Sequence, residues 1–297
     1  MTMNIQEAII VTNNICNLKC IYCKVDELSR KTLSTKDIKN LINELKLRNI
    51  MSVHYIGGEP LLRKDITEIM EYSKLQNIKN TLHSNGSSSK LLNKSLKYID
   101  VYQTCLNGNK KTHELLRGEN TFNNVIECIN LAKKNNIEVI IDMIITSQNC
   151  EYQDIDFVMN FAKEKNIKIN LQKVFVHNLV GVNLNDIKLL KVSNENAFKL
   201  FKYIEENYDE NIFLNSKEFI KIHQEKNYIN VNQCKNDIAV IGYDGNVASC
   251  YEFLNEKNNG VEIGWGNALD LIERKNIKCV TCPYSNHAES NLKNKKD

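Results

Sequence analysis

Two periods alternate along the first 176 residues. Short runs rich in β-branched and aromatic residues, at 7–12, 52–57, 80–84, 101–106, 138–145 and 167–176, read as strands. Between them apolar residues recur every three or four positions, as at Ile38, Leu41, Ile42 and Leu45, which gives a helix one apolar face. Ser34 followed by Asp37 is a capping box for that helix. The same period predicts helices over 65–76, 88–97, 121–135 and 154–165. Strands alternating with helices predict parallel βαβ units, here six strands of an α/β fold. Residues 177–230 read mainly as linker and helix, with an apolar face at Ala197, Phe198, Phe201 and Ile204. From there the texture changes: Ile238–Tyr243 and Asn246–Ser249 flank Asp244-Gly245, a hairpin signal, and a helix is expected from about 267 to 275.

Bulk composition narrows the classes. The chain has 297 residues, enough for one large domain or a core with an appendage. Its 42% hydrophobic and 25% charged residues are ordinary globular usage. Net charge is +3, and the one basic stretch is the Lys-rich tail at 293–296, so no nucleic-acid partner is indicated. No apolar run reaches the roughly 18 residues of a membrane span. The N-terminus lacks a basic-apolar-small signal pattern, and a cytoplasmic location is expected. Ten cysteines in such a setting are expected as metal ligands or catalytic thiols rather than disulfides.

Three of those cysteines, Cys16, Cys20 and Cys23, stand directly after the first strand with spacing C-x3-C-x2-C. Iron–sulfur clusters are held by thiolates, and a 4Fe–4S cube usually takes about four. Three without a local fourth would leave one iron open to a substrate-like molecule. A zinc half-site or three chance cysteines are the alternatives, but structural zinc wants four tetrahedral ligands, commonly in paired knuckles.

The triplet with Tyr22 before its last cysteine resembles the signature of the radical S-adenosylmethionine enzymes. That resemblance implies a cluster whose open iron chelates the amino and carboxylate groups of S-adenosylmethionine, with Tyr22 against the adenine. It also implies a partial (βα)6 barrel whose ligands gather at the C-terminal strand ends. Three further segments carry it. Gly57-Gly58-Glu59-Pro60 resembles the family's GGEP motif for the S-adenosylmethionine amino group; on its own it would pass for an ordinary strand-to-helix turn. Ser84-Asn85-Gly86 resembles its T-N-G strand end, beside a His83 expected to be packed or hydrogen-bonded. Residues 105–118 resemble S-L-D-G…H-D…R-G, with Cys105 in place of serine and Asn107 in place of aspartate. Asn107 cannot act as the base that aspartate supplies in related enzymes. Arg117 is the candidate for the S-adenosylmethionine carboxylate, which suits a planar guanidinium.

Asp142 lies in the otherwise apolar run 139–145, where a buried carboxylate needs a partner or a task. Cys128 is expected in the core. Cys105, at a strand's C-terminal end, and Cys150, in the loop after the next strand, are candidates to face substrate and return a hydrogen atom. A second set, Cys234, Cys250, Cys279 and Cys282, could hold zinc or a 4Fe–4S cluster by chemistry alone. Its spacing, with Ile263-Gly264-Trp265-Gly266-Asn267 as a strand-to-helix step, resembles the auxiliary-cluster extension called twitch, the short form of SPASM.

The expected organisation is therefore a barrel core over 1–180, a helical linker over 181–230 and an auxiliary iron–sulfur domain over 231–297. The implied activity is hydrogen abstraction from an unactivated C–H bond, ending in oxidation, bond formation or epimerisation. Its implied cofactors are the open 4Fe–4S cluster, S-adenosylmethionine and one auxiliary 4Fe–4S cluster, with a flavodoxin or ferredoxin as electron donor. The triplet's position near the start of the chain shifts weight toward a small molecule, or toward a peptide delivered by a separate binding protein. A non-catalytic zinc protein is the rival from another class.

Overall fold

The computed structural model describes residues 5–23, 32–174, 189–222, 224, 238–250 and 258–272. Within them the six expected strands are present as β1 (Glu7–Val11), β2 (Ser52–Ile56), β3 (Lys79–His83), β4 (Val101–Cys105), β5 (Glu138–Ile145) and β6 (Lys168–Lys173). Each pairs in parallel with the next. The helices between them are α1 (Thr35–Leu47), α2 (Ile66–Leu75), α3 (Ser89–Asn93), α4 (Lys110–Arg117), α5 (Thr121–Lys134) and α6 (Tyr152–Lys165). The capping box forms as expected: the Asp37 N–H donates to Ser34 Oγ at 3.1 Å and the Ser34 N–H donates to Asp37 Oδ2 at 3.2 Å. Helix α4 was not expected. Its run Lys110–Arg117 is too polar to show a long apolar period, and it is started by the Asn109 side chain accepting from the Thr112 N–H.

Four helices end in the same way. Asn49, Asn77, Asn136 and Asn166 take positive φ angles between 50° and 59° after α1, α2, α5 and α6. The next residue in each case is isoleucine, whose N–H reaches back to Leu45, Ser73, Ala132 or Ala162. This is a Schellman closure, with asparagine in the left-handed place that glycine more often fills. Ile50, Ile78, Ile137 and Ile167 are all buried, so each closure also plants a core residue and turns the chain into the next strand.

After α7 (Asn194–Asn207) and α8 (Lys217–Ile222) the expected hairpin appears as β7 (Ile238–Ile241) and β8 (Val247–Ala248). It is not set apart from the barrel. β7 pairs in parallel with β1, and the sheet runs β6-β5-β4-β3-β2-β1-β7-β8 without closing. Residues 260–270 form two short helices, α9 (Gly260–Ile263) and α10 (Trp265–Asp270). The strand-to-helix step expected at Ile263–Asn267 is thus a helix-to-helix step, turned at Gly264 with φ +89°. Arg48, which caps the end of α1, docks this segment, donating to Asp270 Oδ1 at 2.7 Å and to the Gly266 carbonyl at 2.9 Å.

The strand pleat sends Val53, Tyr55, Leu82 and Tyr102 outward under the helices, where one large cluster forms the core. The inward face is divided. Beside β1, β7 and β8 it is apolar, with Ile9, Ile56, Ile238, Val240 and Ala248 packed together. Along β3 to β6 the alternation places Thr81, His83, Gln103, Asp142 and Asn170 inward. A cavity of about 630 Å³ opens at the N-terminal mouth, lined by Glu7, His54, Lys79 and Glu138 among others. Among the described residues no helix is long and apolar enough to cross a membrane.

Candidate active site at the C-terminal strand ends

The cysteine loop leaves β1 and is stitched to the loop after β2. Thr12 N–H donates to the Ile56 carbonyl at 2.7 Å, Gly58 N–H to Asn13 at 3.0 Å, and Glu59 N–H to Ile15 at 2.8 Å. The Asn13 amide donates to the Glu59 carbonyl at 2.9 Å. The two loops approach so closely that a Cβ on Gly57 would lie 2.5 Å from the Asn13 carbonyl oxygen. Cys16, Cys20 and Cys23 are half-buried along this loop. Cys16 Sγ accepts from the Leu18 N–H and from Asn85 Nδ2, each at 3.5 Å.

Glu59 is fully buried, and burial raises its carboxyl above the usual range against the pull of its donors. Its Oε2 accepts from the Asn85 N–H at 2.6 Å and Ser84 Oγ at 3.1 Å, and its Oε1 from the Leu61 N–H at 2.9 Å. The carboxylate therefore fastens the end of β3 to the glycine loop. Pro60 opens a 3₁₀ turn, Pro60–Leu62, which delivers the Leu61 N–H to it.

Arg117, the last residue of α4, is 2% exposed. Its Nη1 donates to the Cys105 carbonyl at 2.7 Å and its Nη2 to the Asn85 carbonyl at 2.8 Å, while Nε has no partner. Burial opposes its charge, but Tyr22, Cys105 and Cys20 beside it hold the guanidinium firmly protonated. Among the described residues no carboxylate comes within ion-pair distance of it. A buried cation without an anion is costly. Three thiols that bind a cluster as thiolates, and a ligand carboxylate, would supply the missing negative charge, so the donor set fits such a group. Among the described residues no three His, Cys, Asp or Glu side chains gather around a single-ion site.

Tyr22 Oη accepts from Asn107 Nδ2 at 2.9 Å. Asn107 in turn accepts the Ile144 N–H at 2.9 Å on its side-chain oxygen and Asn149 Nδ2 at 2.8 Å on its carbonyl. His113 closes the group: its Nδ1 accepts from the Asn107 N–H at 3.3 Å, and burial, with Arg117 nearby, pushes it down to about 3, so it is neutral. The Cys105 thiol is pushed up to about 12 by burial, with Arg117 pulling the other way.

Asp142 sits beside Cys105 in the β4–β5 register. Its Oδ1 accepts from Gln103 at 2.7 Å, Asn170 at 2.6 Å and Gln172 at 3.5 Å, and burial raises the carboxyl to about 6. His83 Nε2 meets His54 Nδ1 at 3.0 Å, and burial with that neighbour holds His83 well below the ordinary imidazole range. The amides around Asp142 and the His54 partner carry no motif and were not singled out from sequence; only the inward phase of each strand could have found them.

The structure thus brings Cys16, Cys20, Cys23, Tyr22, Gly57, Gly58, Glu59, Pro60, Ser84, Asn85, Cys105 and Arg117 to one face. Cys150 is turned aside: its thiol reaches the Ser147 carbonyl at 3.6 Å within its own turn and packs on the core. Cys128 is buried in that core. Cys250 is half-buried just after β8. Cys234, Cys279 and Cys282 lie outside the described residues.

A partial parallel barrel with a cysteine triplet at its C-terminal mouth defines a class of S-adenosylmethionine-binding iron–sulfur proteins. A family model for the radical SAM superfamily matches residues 10–186, and the chain belongs to that superfamily. Among curated relatives, the mycofactocin maturase MftC of Mycolicibacterium smegmatis is 27% identical over 148 residues, 47% of this chain and 37% of the relative. The GTP 3',8-cyclase of Psychromonas ingrahamii is 28% identical over 167 residues, 52% of this chain and 49% of the relative. The chain therefore spans half or less of these relatives' own length. Streptococcus suis SuiB bound to S-adenosylmethionine superimposes with a TM-score of 0.68 at 19% identity, covering 85% of this chain and 61% of that one. The chain anSMEcpe with bound AdoMet gives 0.70 at 19% identity, covering 90% of this chain and 81% of that one. Such distant likenesses establish the shared fold.

Proposed function

We propose that Cys16, Cys20 and Cys23 hold a 4Fe–4S cluster with one open iron, and that the protein uses it to abstract hydrogen from an unactivated C–H bond. The carrying observation is Arg117, a buried guanidinium with no carboxylate at ion-pair distance among the described residues and with Cys20 and Tyr22 of the cysteine loop beside it. When bound, the cluster supplies one electron to the sulfonium of S-adenosylmethionine, whose adenosyl fragment then takes a hydrogen atom from substrate. The protein's part is to place the reactants. Burial raises the Cys16 thiol above its ordinary value, and the hydrogen bonds from Leu18 and Asn85 pull the other way, toward the thiolate. Arg117 faces the carboxylate of S-adenosylmethionine. Glu59 holds Ser84 and Asn85 against the Gly57-Gly58 loop, whose backbone receives its amino group. Tyr22, steadied by Asn107, lies against its adenine. Cys234, Cys250, Cys279 and Cys282 would hold one auxiliary cluster, which would supply an electron acceptor for a net oxidation or a new bond, and a flavodoxin or ferredoxin would supply the first electron.

The substrate in this reading is a small molecule or a peptide. A peptide brought by a separate recognition protein is the second reading, favoured by the maturase name of one relative. Anaerobic reconstitution tests the proposal. About eight irons per chain support two cubes and about four support one. The native protein with dithionite should release 5′-deoxyadenosine, and the Cys16→Ala/Cys20→Ala/Cys23→Ala variant should not. Bound zinc without cleavage of S-adenosylmethionine would sink the assignment.

A further inference from the structure

We infer that Asp142 is a binding site for a primary ammonium group on the substrate. The inference rests on the proposed function for its setting, since Asp142 stands level with Cys105 at the mouth where S-adenosylmethionine is placed.

The side chain is 8% exposed and its surroundings are built from three strands. Gln103 on β4 and Asn170 and Gln172 on β6 all donate to the same oxygen, Oδ1. Asn170 is itself positioned, accepting from Asn215 at 3.4 Å. The other oxygen, Oδ2, takes no hydrogen bond from the described residues. If the only task were to gather three amide donors on one oxygen, an asparagine carbonyl would do so without the desolvation cost of a charge. The charge remains, and no cation of the described residues pairs with it. Arg117 and His54 draw the carboxyl down only from a distance, since neither makes an ion pair with it: Arg117 donates to the Cys105 and Asn85 carbonyls, and His54 meets His83 and Glu7.

The neighbours point to the same ligand. Each amide that donates to Asp142 through its nitrogen carries a carbonyl oxygen. Those of Gln103 and Gln172 accept nothing from the described residues. With Oδ2 they are three side-chain acceptors gathered about Asp142. A primary ammonium brings three donors and one positive charge, which matches that set. A hydroxyl brings one donor and no charge, and an anion would meet the carboxylate head-on.

The test uses cyclohexylamine as probe and cyclohexanol as its neutral twin of the same shape. Each is equilibrated by dialysis with the anaerobic, cluster-reconstituted protein in the presence of S-adenosylmethionine, alongside Asp142→Asn. The expected result is retention of the amine at least about tenfold tighter than the alcohol, and loss of that preference in Asp142→Asn with S-adenosylmethionine affinity and circular dichroism unchanged. Equal binding of the two probes, binding of neither, or an unchanged preference in Asp142→Asn would overturn the inference. A loss of S-adenosylmethionine affinity in that variant would also overturn it, by giving Asp142 to the cofactor instead. Failure of the native protein to cleave S-adenosylmethionine, measured separately, strikes the proposed function and leaves the amine preference standing.

Discussion

Asn107 Nδ2 stands 2.9 Å from Tyr22 Oη, and the oxygen of the same amide accepts the Ile144 N–H at 2.9 Å. One side chain thus ties the cysteine loop to β5. An aspartate could span the same two groups by accepting both the Ile144 N–H and the tyrosine O–H; asparagine makes the tether without an ionisable group.

That tether can be weighed. Asn107→Ala strands the Ile144 N–H and frees the Tyr22 hydroxyl, and should cost about 1–3 kcal/mol, the range for an unsatisfied buried group. Urea unfolding of the metal-free chain measures it. A loss below about 0.5 kcal/mol would show that the bonds do not contribute to the fold.

Arg117→Ala should weaken S-adenosylmethionine binding by about 1.5–3 kcal/mol, the range for hydrogen bonds to charged groups. That is roughly a 10- to 150-fold rise in the dissociation constant, readable by equilibrium dialysis. Arg117→Lys keeps the charge but not the fork that spans the Cys105 and Asn85 carbonyls, and should fall between the two. An unchanged constant in both would place the carboxylate elsewhere.

Asp142 makes a prediction with a definite sign. Its folded value, about 6, lies above the ordinary 3.8, so the folded state binds the proton more tightly than the unfolded chain. Stability from this group is complete below pH about 4 and is lost as pH rises through about 6, amounting to roughly 3 kcal/mol. Asp142→Asn has no such loss. It should match the native protein near pH 4 and exceed it by up to about 3 kcal/mol at pH 7. His113, held down to about 3, acts in the opposite sense, destabilising on acidification below the ordinary 6.5, but it does so equally in both proteins. Denaturant midpoints at the two pH values give the difference, and equal midpoints at pH 7 would refute it.

The βα repeat was legible because each unit is a local pattern: an alternating run, then a 3.6-residue stripe. The helix ends were not read from the sequence, although the Asn-Ile pairs at 49–50, 77–78, 136–137 and 166–167 carry the signal: asparagine tolerates the left-handed turn and isoleucine fills the core after it. Helix α4 was hidden because Lys110, Lys111 and Glu114 interrupt its buried face, which consists of His113, Leu116 and Arg117. The cysteine loop and the glycine loop were readable as motifs, but their union through Asn13 and Glu59 spans more than 40 positions and has no local signal. The same holds for Asp142, where Gln103 and Asn170 arrive from strands 39 and 28 residues away.

The junction of the two loops yields a last prediction. Gly57 carries no side chain where a Cβ would meet the Asn13 carbonyl at 2.5 Å and its N–H nitrogen at 3.1 Å. Both atoms are backbone, so neither can swing aside, and Asn13 is further fixed by the hydrogen bond its side-chain amide donates to the Glu59 carbonyl. Gly57→Ala must therefore push the cysteine loop away from the glycine loop. Overpacking of this kind costs about 1–3 kcal/mol. Gly118 is the control. Its φ is +103°, but a Cβ there meets nothing within 4 Å, so alanine adds only backbone strain. Expected for Gly57→Ala is a lower unfolding midpoint together with fewer irons retained after reconstitution; expected for Gly118→Ala is a lower midpoint with iron content intact. If Gly57→Ala keeps its full iron, the contact with Asn13 does not set the position of the three thiols.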